Sequence, residues 1–531
     1  MESISTDVLI IGAGAAGIRA AIAACENGAD VVLLAAEDIA YGGSTFSEIS
    51  QGWGIQALVG AERTPENLEK FYDDIIRVGL GRSDPNLVRI LVEESGPCVE
   101  DLISDGLKFK LDADGSFIRT RGCFSEIARA FLTSDFCNMQ HTFLSILNRL
   151  PVRVLTGTAA DLIIDDGICM GAWMIDKNGT FVQISTKSTI LATGGGSGIY
   201  EDHMGNGGGT GDGYALAYLA DAKLTNMEFI QFALGLKHNG SRKFLPIDRL
   251  SQPDRIITPA GCDILKKSIP DAARHRALNE RQTHMPFSCR DSAAMVDIAV
   301  ARALQNNTRL YWHSDGPDES RFEVAHLAHA FNGGVKINAK GESTIPGLFA
   351  AGEVAAGPHG ADRIGGCMMT ATQVFGKRAG RFAAQHAKRI HGKFSQAVGK
   401  AGADPAGRPK MGNDVLHALA AIEKRVKESM GKYAGVLRSK NGLKQCQKIL
   451  DTCADQLGAM EGFGVCKNRR YFRVRNMVIT AHLVVQAALA REKSLGPHYR
   501  EDDKSWEAGR PEGWEAEEMR RTAHGTRHRR G

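Results

Sequence analysis

Apolar positions in this chain come in two patterns. Near the start, "TDVLIIGAG" climbs from polar residues into four consecutive aliphatics and breaks at glycine. It continues into the alanine-rich stretch "AAGIRAAIAACENG" and then a second aliphatic run, "DVVLLA". Short aliphatic runs bounded by glycines, with a helix-forming stretch between them, predict a strand–helix–strand unit over residues 6–35. Two later stretches, "STILATGGG" and "IPGLFAAGEV", also read as strands running into glycine turns. Toward the C-terminal end, "DVLHALAAIEKRVKESMGKY" and "VITAHLVVQAALAREKS" carry apolar residues at helical spacing among good helix formers. The segment "GKAGADPAGRPKMGND" reads as the linker before them.

At 531 residues the chain exceeds one compact core, and two to four domains are expected. Its 43% hydrophobic and 24% charged content is ordinary for a soluble globular protein. The net charge of +4 is spread along the chain and marks no nucleic-acid surface. The exception is the tail "RRTAHGTRHRRG", which is basic and expected to be flexible. No apolar run approaches the ~20 residues that span a bilayer, so no membrane insertion is expected. The N-terminus lacks a basic start and a cleavage site and reads as mature structure. The 11 cysteines include no C-x-x-C pair. Reduced thiols in a cytoplasmic protein are expected, with no metal site and no iron–sulfur cluster within the chain.

Gly12, Gly14 and Gly17 stand in G-x-G-x-x-G register at the end of the first strand. The first glycine permits a tight turn, the second lets a pyrophosphate approach the backbone, and the third lets helix pack on strand. A dinucleotide is therefore expected, its phosphates on the free N–H groups of the helix N-terminus. The acid that grips the ribose belongs near Ala35, but Glu37 comes two residues late. A one-module NAD protein would continue with further βαβ repeats. This chain instead runs into "YGGSTFSEISQGWG", with Gly43, Ser44 and Gly54 in a loop suited to lying against a flat ring. Widely separated pieces follow, which suits a large extended cofactor such as FAD. They hold Gly194 and Gly195 in "ATGGG", Asp212 in "TGDG" and Glu353 in "GEV".

Taken in order, "ATGGG", "TGDGYALA", "NMEFIQF", "CRDSAAMVDIAVARA", "HAFNGGV", "LFAAGEVAAGPHGADRIGG" and "VFGKRAG" resemble the succinate dehydrogenase/fumarate reductase flavoprotein family, which includes L-aspartate oxidase. The resemblance covers roughly residues 5–506. It implies an α/β protein whose Rossmann-type FAD-binding domain comes in two segments, 1–232 and 331–395. An inserted α+β capping domain would occupy 233–330 and close over the substrate. A linker at 396–410, a helical domain at 411–506 and the tail at 507–531 would follow. By motif, FAD contacts carry over to Gly12, Gly14, Gly17, Asp212 and Glu353, and to the backbone of Met368 and Met369. Some members bond the flavin covalently through a histidine. None lies between Tyr41 and Gly54 here, so non-covalent FAD is implied.

Family members move a hydride between flavin and a carbon beside a carboxylate. Such chemistry needs cations to clamp the carboxylate and a group to carry the proton. The resemblance assigns the carboxylate clamp to Arg363, whose planar fork suits bidentate binding. It assigns a substrate-binding role to His329 and proton transfer to Arg290. Taken alone, Arg290 beside Asp291 reads as an ion pair or helix cap, His329 as a structural histidine, and Arg363 as the end of a turn. The chain also departs from the family. "EFIQF" continues with Ala233 where a substrate-gripping histidine belongs, the usual "ANR" is "ADR" with Asp362, and Met368 replaces a small serine. One clamp is kept and the other altered. A roomier, less polar pocket is therefore expected at Ala233, with Lys237, His238 and Arg249 as the cations that could replace the lost one. The favoured activity is an FAD-dependent oxidoreductase, an enoate reductase or organic-acid dehydrogenase acting on a small carboxylate. The alternatives are an L-aspartate oxidase, or the flavoprotein subunit of a larger complex of the succinate dehydrogenase or adenylylsulfate reductase kind. Such a subunit would need an iron–sulfur or other electron-transfer partner. A homo-oligomer is compatible with all of these.

Overall fold

The computed structural model describes residues 2–40, 42–47, 54–205, 208–245, 250, 255–313, 322–390, 413–460 and 468–506. Arg249, the linker 396–410, the tail 507–531 and part of the 41–54 loop lie outside the described residues. The predicted first unit forms as β1 (Glu2–Ile11), α1 (Ala15–Glu26) and β2 (Val31–Ala35). β1 pairs in parallel with β2 and with the strand Phe181–Leu191. β2 pairs in parallel with Val152–Thr156. The short strand Leu348–Ala350 joins Phe181–Leu191, also in parallel. An antiparallel pair, Thr158–Asp165 and Ile168–Ile175, completes a seven-stranded sheet.

All five residues of β2 are buried, as expected of a strand covered on both faces. α1 packs on the long helix Cys367–Arg389, and small residues bring the two close. A Cβ on Gly380 would lie 2.2 Å from the Ala20 carbonyl oxygen. A helix from far downstream in the chain thus closes over the first helix of the nucleotide fold.

Between these pieces a second sheet of five antiparallel strands is inserted. Its order is Ser241–Phe244, Ile230–His238, Phe322–Phe331, Tyr311–His313, Arg255–Ile257. It keeps its own core, with Leu234, Leu236, Ile256, Val296, Trp312 and Val324 among its members. A buried ion pair, Arg281 Nε to Asp297 Oδ2 at 3.0 Å, ties the helices Asp271–Arg281 and Ala294–Gln305 together. Among the described residues, the last region forms three helices, Asn413–Tyr433, Lys440–Met460 and Arg469–Ala490. These helices share one hydrophobic core with the large sheet, through residues such as Leu419, Leu450 and Val484, and the inserted sheet joins that core at one end through Ile230, Phe232, Ala328 and Phe331.

Candidate active site

A cavity of about 790 Å³ opens among these layers, within the range of ligand-binding clefts. Its nucleotide end opens on the backbone of the glycine turn. Gly12 has φ +114°, and a Cβ there would stand 2.3 Å from the Ala192 carbonyl oxygen. A Cβ on Gly17 would stand 1.9 Å from the Gly12 carbonyl oxygen, so this glycine serves the helix–strand contact and does not line the cavity. Gly14 caps α1 and lines the cavity. Thr45 Oγ1 accepts the Ala15 N–H at 3.2 Å and holds the 42–47 loop against the turn. Gly43, Ser44, Gly54 and Gly194 line the same space, as does Glu37 just beyond β2.

Asp212 opens the helix Asp212–Leu219 after the left-handed Gly211 (φ +87°). Asn476 Nδ2 donates to it at 2.8 Å and Thr210 Oγ1 at 3.1 Å. Glu353 Oε1 accepts the Phe331 N–H at 2.9 Å, and the Gly195 backbone also bonds this carboxylate. Gly195 itself does not line the cavity, and a Cβ there would sit 2.2 Å from Glu353 Oε1. Burial raises the pKa of both acids. Met368 and Met369 begin the helix Cys367–Arg389 and line the cavity beside its left-handed cap, Gly366 (φ +89°).

The other end carries side-chain chemistry. The inserted strand Phe322–Phe331 delivers His329 to the cavity, and Arg363 reaches it from the turn before the helix Cys367–Arg389. Arg363 is only 6% exposed; an NH group donates to the Ile364 carbonyl at 3.2 Å, while Nε has no hydrogen-bond partner. A buried cation with an unused donor is costly unless an anion meets it. Burial, reinforced by the Arg363 charge, pushes His329 down to about 3, so its imidazole is neutral. His359 lies outside the cavity lining and is pushed down to about 3 by the same two causes.

Arg290 is not brought to the cavity lining. Its Nε donates to Asp362 Oδ2 at 3.0 Å and NH2 to the Val78 carbonyl at 2.8 Å, and its guanidinium lies over the Phe124 ring. Ser288 Oγ donates to the same Asp362 oxygen at 2.7 Å. The residue that departs from "ANR" is thus the partner of Arg290, one position from Arg363. Asp291 turns instead to His284, at 3.2 Å, and accepts the Ala293 N–H at 3.1 Å. Ala233 is fully buried, paired across the sheet with Leu327 and bridged to Pro286, and it does not line the cavity. The roomier space expected at Ala233 is therefore not part of this cavity, because neighbouring backbone covers the residue. Lys237 is paired with Asp202 at 3.1 Å and, with His238, borders a separate surface groove.

Four further lining residues carry little signal in the sequence. They are Thr45, a hydrogen-bonded wall, and Arg469, Arg470 and Arg473 at the start of the last helix. The arginines show only as the basic spacing of "NRRYFRVR", which by itself looks like a solvated helix face.

Residues 7–241 and 278–369, more than half the chain, match the FAD binding domain family model, and 423–521 match the fumarate reductase flavoprotein C-terminal model. The chain is 30% identical to a fumarate reductase (CoM/CoB) subunit of Methanothermobacter marburgensis, over 94% of this chain and 95% of that one. It is 28% identical to L-aspartate oxidase of Halobacterium salinarum, over 95% of this chain and 98% of that one. Among solved structures, an E. coli quinol fumarate reductase chain superposes with a TM-score of 0.77 at 22% identity, covering 96% of this chain and 93% of that one. Adenylylsulfate reductase of Archaeoglobus fulgidus gives 0.64 at 16% identity, covering 95% and 93%. These last two show the fold. FAD fits the observed cradle. Gly12 and Gly14 line it at the start of α1, whose cap contributes no side chain, and the unpartnered donor of buried Arg363 lies at the other end. No helix among the described residues is long and apolar enough to cross a membrane.

Proposed function

The chain belongs to the fumarate reductase/succinate dehydrogenase flavoprotein family of FAD-dependent oxidoreductases, and within it we propose an enoate reductase or organic-acid dehydrogenase. The observation that carries this is Arg363 and His329 lining one cavity with Gly12 and Gly14. FAD bound there, without a covalent link, supplies or takes the hydride at a carbon beside a carboxylate. Arg363 clamps that carboxylate, and neutral His329 donates an N–H to it. Arg363 is buried and bonded to the Ile364 carbonyl before substrate arrives, so little reorganisation is needed there as charge develops. Arg290 hands over the proton and is held for this by Asp362, which Ser288 holds in turn. Because Arg290 sits outside the cavity lining, delivery requires the inserted sheet to shift or a side chain or water to relay.

The second end of the substrate is treated differently from fumarate. Ala233 is apolar and lies outside the cavity lining, Lys237 is already paired, and among the described residues Arg363 is the cation that lines this end. A second carboxylate on that side would lack a partner, which is costly. The preferred substrate is therefore an acid with one clamped carboxylate. The similarity to a protein named as a subunit supports a second element of the proposal, that an iron–sulfur or other electron-transfer partner supplies or removes electrons. Mixing the reduced protein with fumarate, iminosuccinate and a set of monocarboxylic enoates, and following flavin reoxidation, tests the reading. A higher kcat/KM for fumarate than for every monocarboxylate would sink the one-clamp proposal. Reoxidation by iminosuccinate alone would move the assignment to an aspartate oxidase.

A further inference from the structure

The cationic side chains among the described residues lining the cavity are Arg363 at the substrate end and Arg469, Arg470 and Arg473. The last three sit on the first turns of the helix Arg469–Ala490, in the C-terminal region, yet they line the same space as Gly12, Gly14 and Glu37. The helix is tied to the nucleotide fold at several points. Arg469 Nε donates to Thr158 Oγ1 at 2.9 Å, and its NH2 group donates to the Ala36 carbonyl just past β2. Arg475 NH2 donates to Asp161 Oδ1 at 2.8 Å and to the Ala160 carbonyl at 2.7 Å. Asn476 reaches Asp212, and Thr480 Oγ1 donates to the Gly211 carbonyl at 2.9 Å. Arg470 also pairs with Glu423 of the helix Asn413–Tyr433 at 3.4 Å.

The diphosphate of FAD carries negative charge, and the glycine turn offers it backbone N–H groups but no full positive charge. Among the described residues, no lysine or arginine of the large sheet's own strands and turns lines that end. We propose that Arg470 and Arg473 bind the diphosphate–ribose half of FAD, with Arg469 as the latch that sets the helix in place. The C-terminal region is then part of the cofactor site and not only a packing layer. The ribose recognition that Glu37 leaves incomplete passes partly to this helix. The inference rests on FAD binding and not on which acid is the substrate.

The test titrates the full-length protein, stripped of flavin, with FAD and with riboflavin, which lacks the diphosphate and adenosine. Loss of charge-assisted hydrogen bonds in Arg470→Ala/Arg473→Ala should weaken FAD roughly 10- to 100-fold and leave riboflavin within about twofold. Arg470→Lys/Arg473→Lys should recover part of the FAD affinity. An unchanged FAD affinity overturns the proposal. Equal weakening of both ligands also overturns it, because the helix would then serve only packing. If the alanine pair does not fold, Arg470→Gln/Arg473→Gln keeps most of the side-chain length and is judged by the same ratio. None of these readouts uses turnover, so failure here leaves the substrate reading untouched.

Discussion

The nucleotide end of the cavity begins with three glycines within six residues, and its constraint is space: added Cβ atoms would meet carbonyl oxygens at 2.3 Å and 1.9 Å. The substrate end depends on charge instead. His329 and Arg363 arrive from an inserted strand and a distant turn; Arg363 is buried, and His329 is half-buried facing the cavity. A steric site fails when an atom is added. An electrostatic site accepts a change of shape more readily than a change of charge. The same cavity should therefore fail in two distinguishable ways.

The largest effect is expected at the nucleotide end. Gly12→Ala places a methyl group against the Ala192 carbonyl at a backbone angle that disfavours side chains. The purified variant should carry no flavin, as read from its visible absorbance; a fully flavinated variant would show that the turn relaxes. Arg290→Lys comes next. It should keep its FAD and lose roughly 10²–10⁴-fold in turnover, the usual share of a proton-transfer group. Retained turnover would make the Arg290–Asp362 pair structural and end the proton assignment.

A subtler separation comes from pH. The folded pKa of His329 is about 3, below its ordinary 6.5, so the unfolded chain binds this proton first as pH falls. The stability tied to neutral His329 is fully present above about pH 6.5 and is lost progressively as pH drops toward 3. His329→Gln removes that proton from the balance, so its Tm should fall less steeply than the parent's between pH 6.5 and 4. Parallel slopes would mean that His329 is not held neutral by burial. The glycine turn offers no such group, and Gly12→Ala should leave the slope unchanged. The smallest effect belongs to Glu37→Gln, which retains shape and loses charge at the ribose side. One neutral for one charged hydrogen bond predicts about a tenfold weaker FAD, measured by equilibrium titration. A larger loss than for the Arg470/Arg473 pair would reverse the ranking of the two contributors.

Legibility in the sequence follows distance along the chain. The glycine turn, β1, α1 and β2 are readable because their constraints are local: a steric requirement at Gly12 and an aliphatic run on either side. Lys440–Met460 is not among the helices predicted near the C-terminus, whereas Asn413–Tyr433 and Arg469–Ala490 are readable from their period. Their shared core with the sheet is not, since an apolar stripe does not name what covers it. Arg290 and Arg363 are found by motif, yet the motif does not say that Asp362 becomes the partner of Arg290.

Backbone sterics and periodicity act over a few residues. They suffice for the nucleotide turn, the strands and helix around it, and the chemical types gathered for an anion. Which charges meet is settled in three dimensions. Folding buries Ala233 against Pro286 and Leu327, and it leaves Arg290 beside the cavity and not in it. It also brings Arg469, Arg470 and Arg473 to a site whose first glycine turn lies more than 400 residues earlier. Desolvation and charge pairing depend on distance in space, and no spacing within the chain encodes that distance.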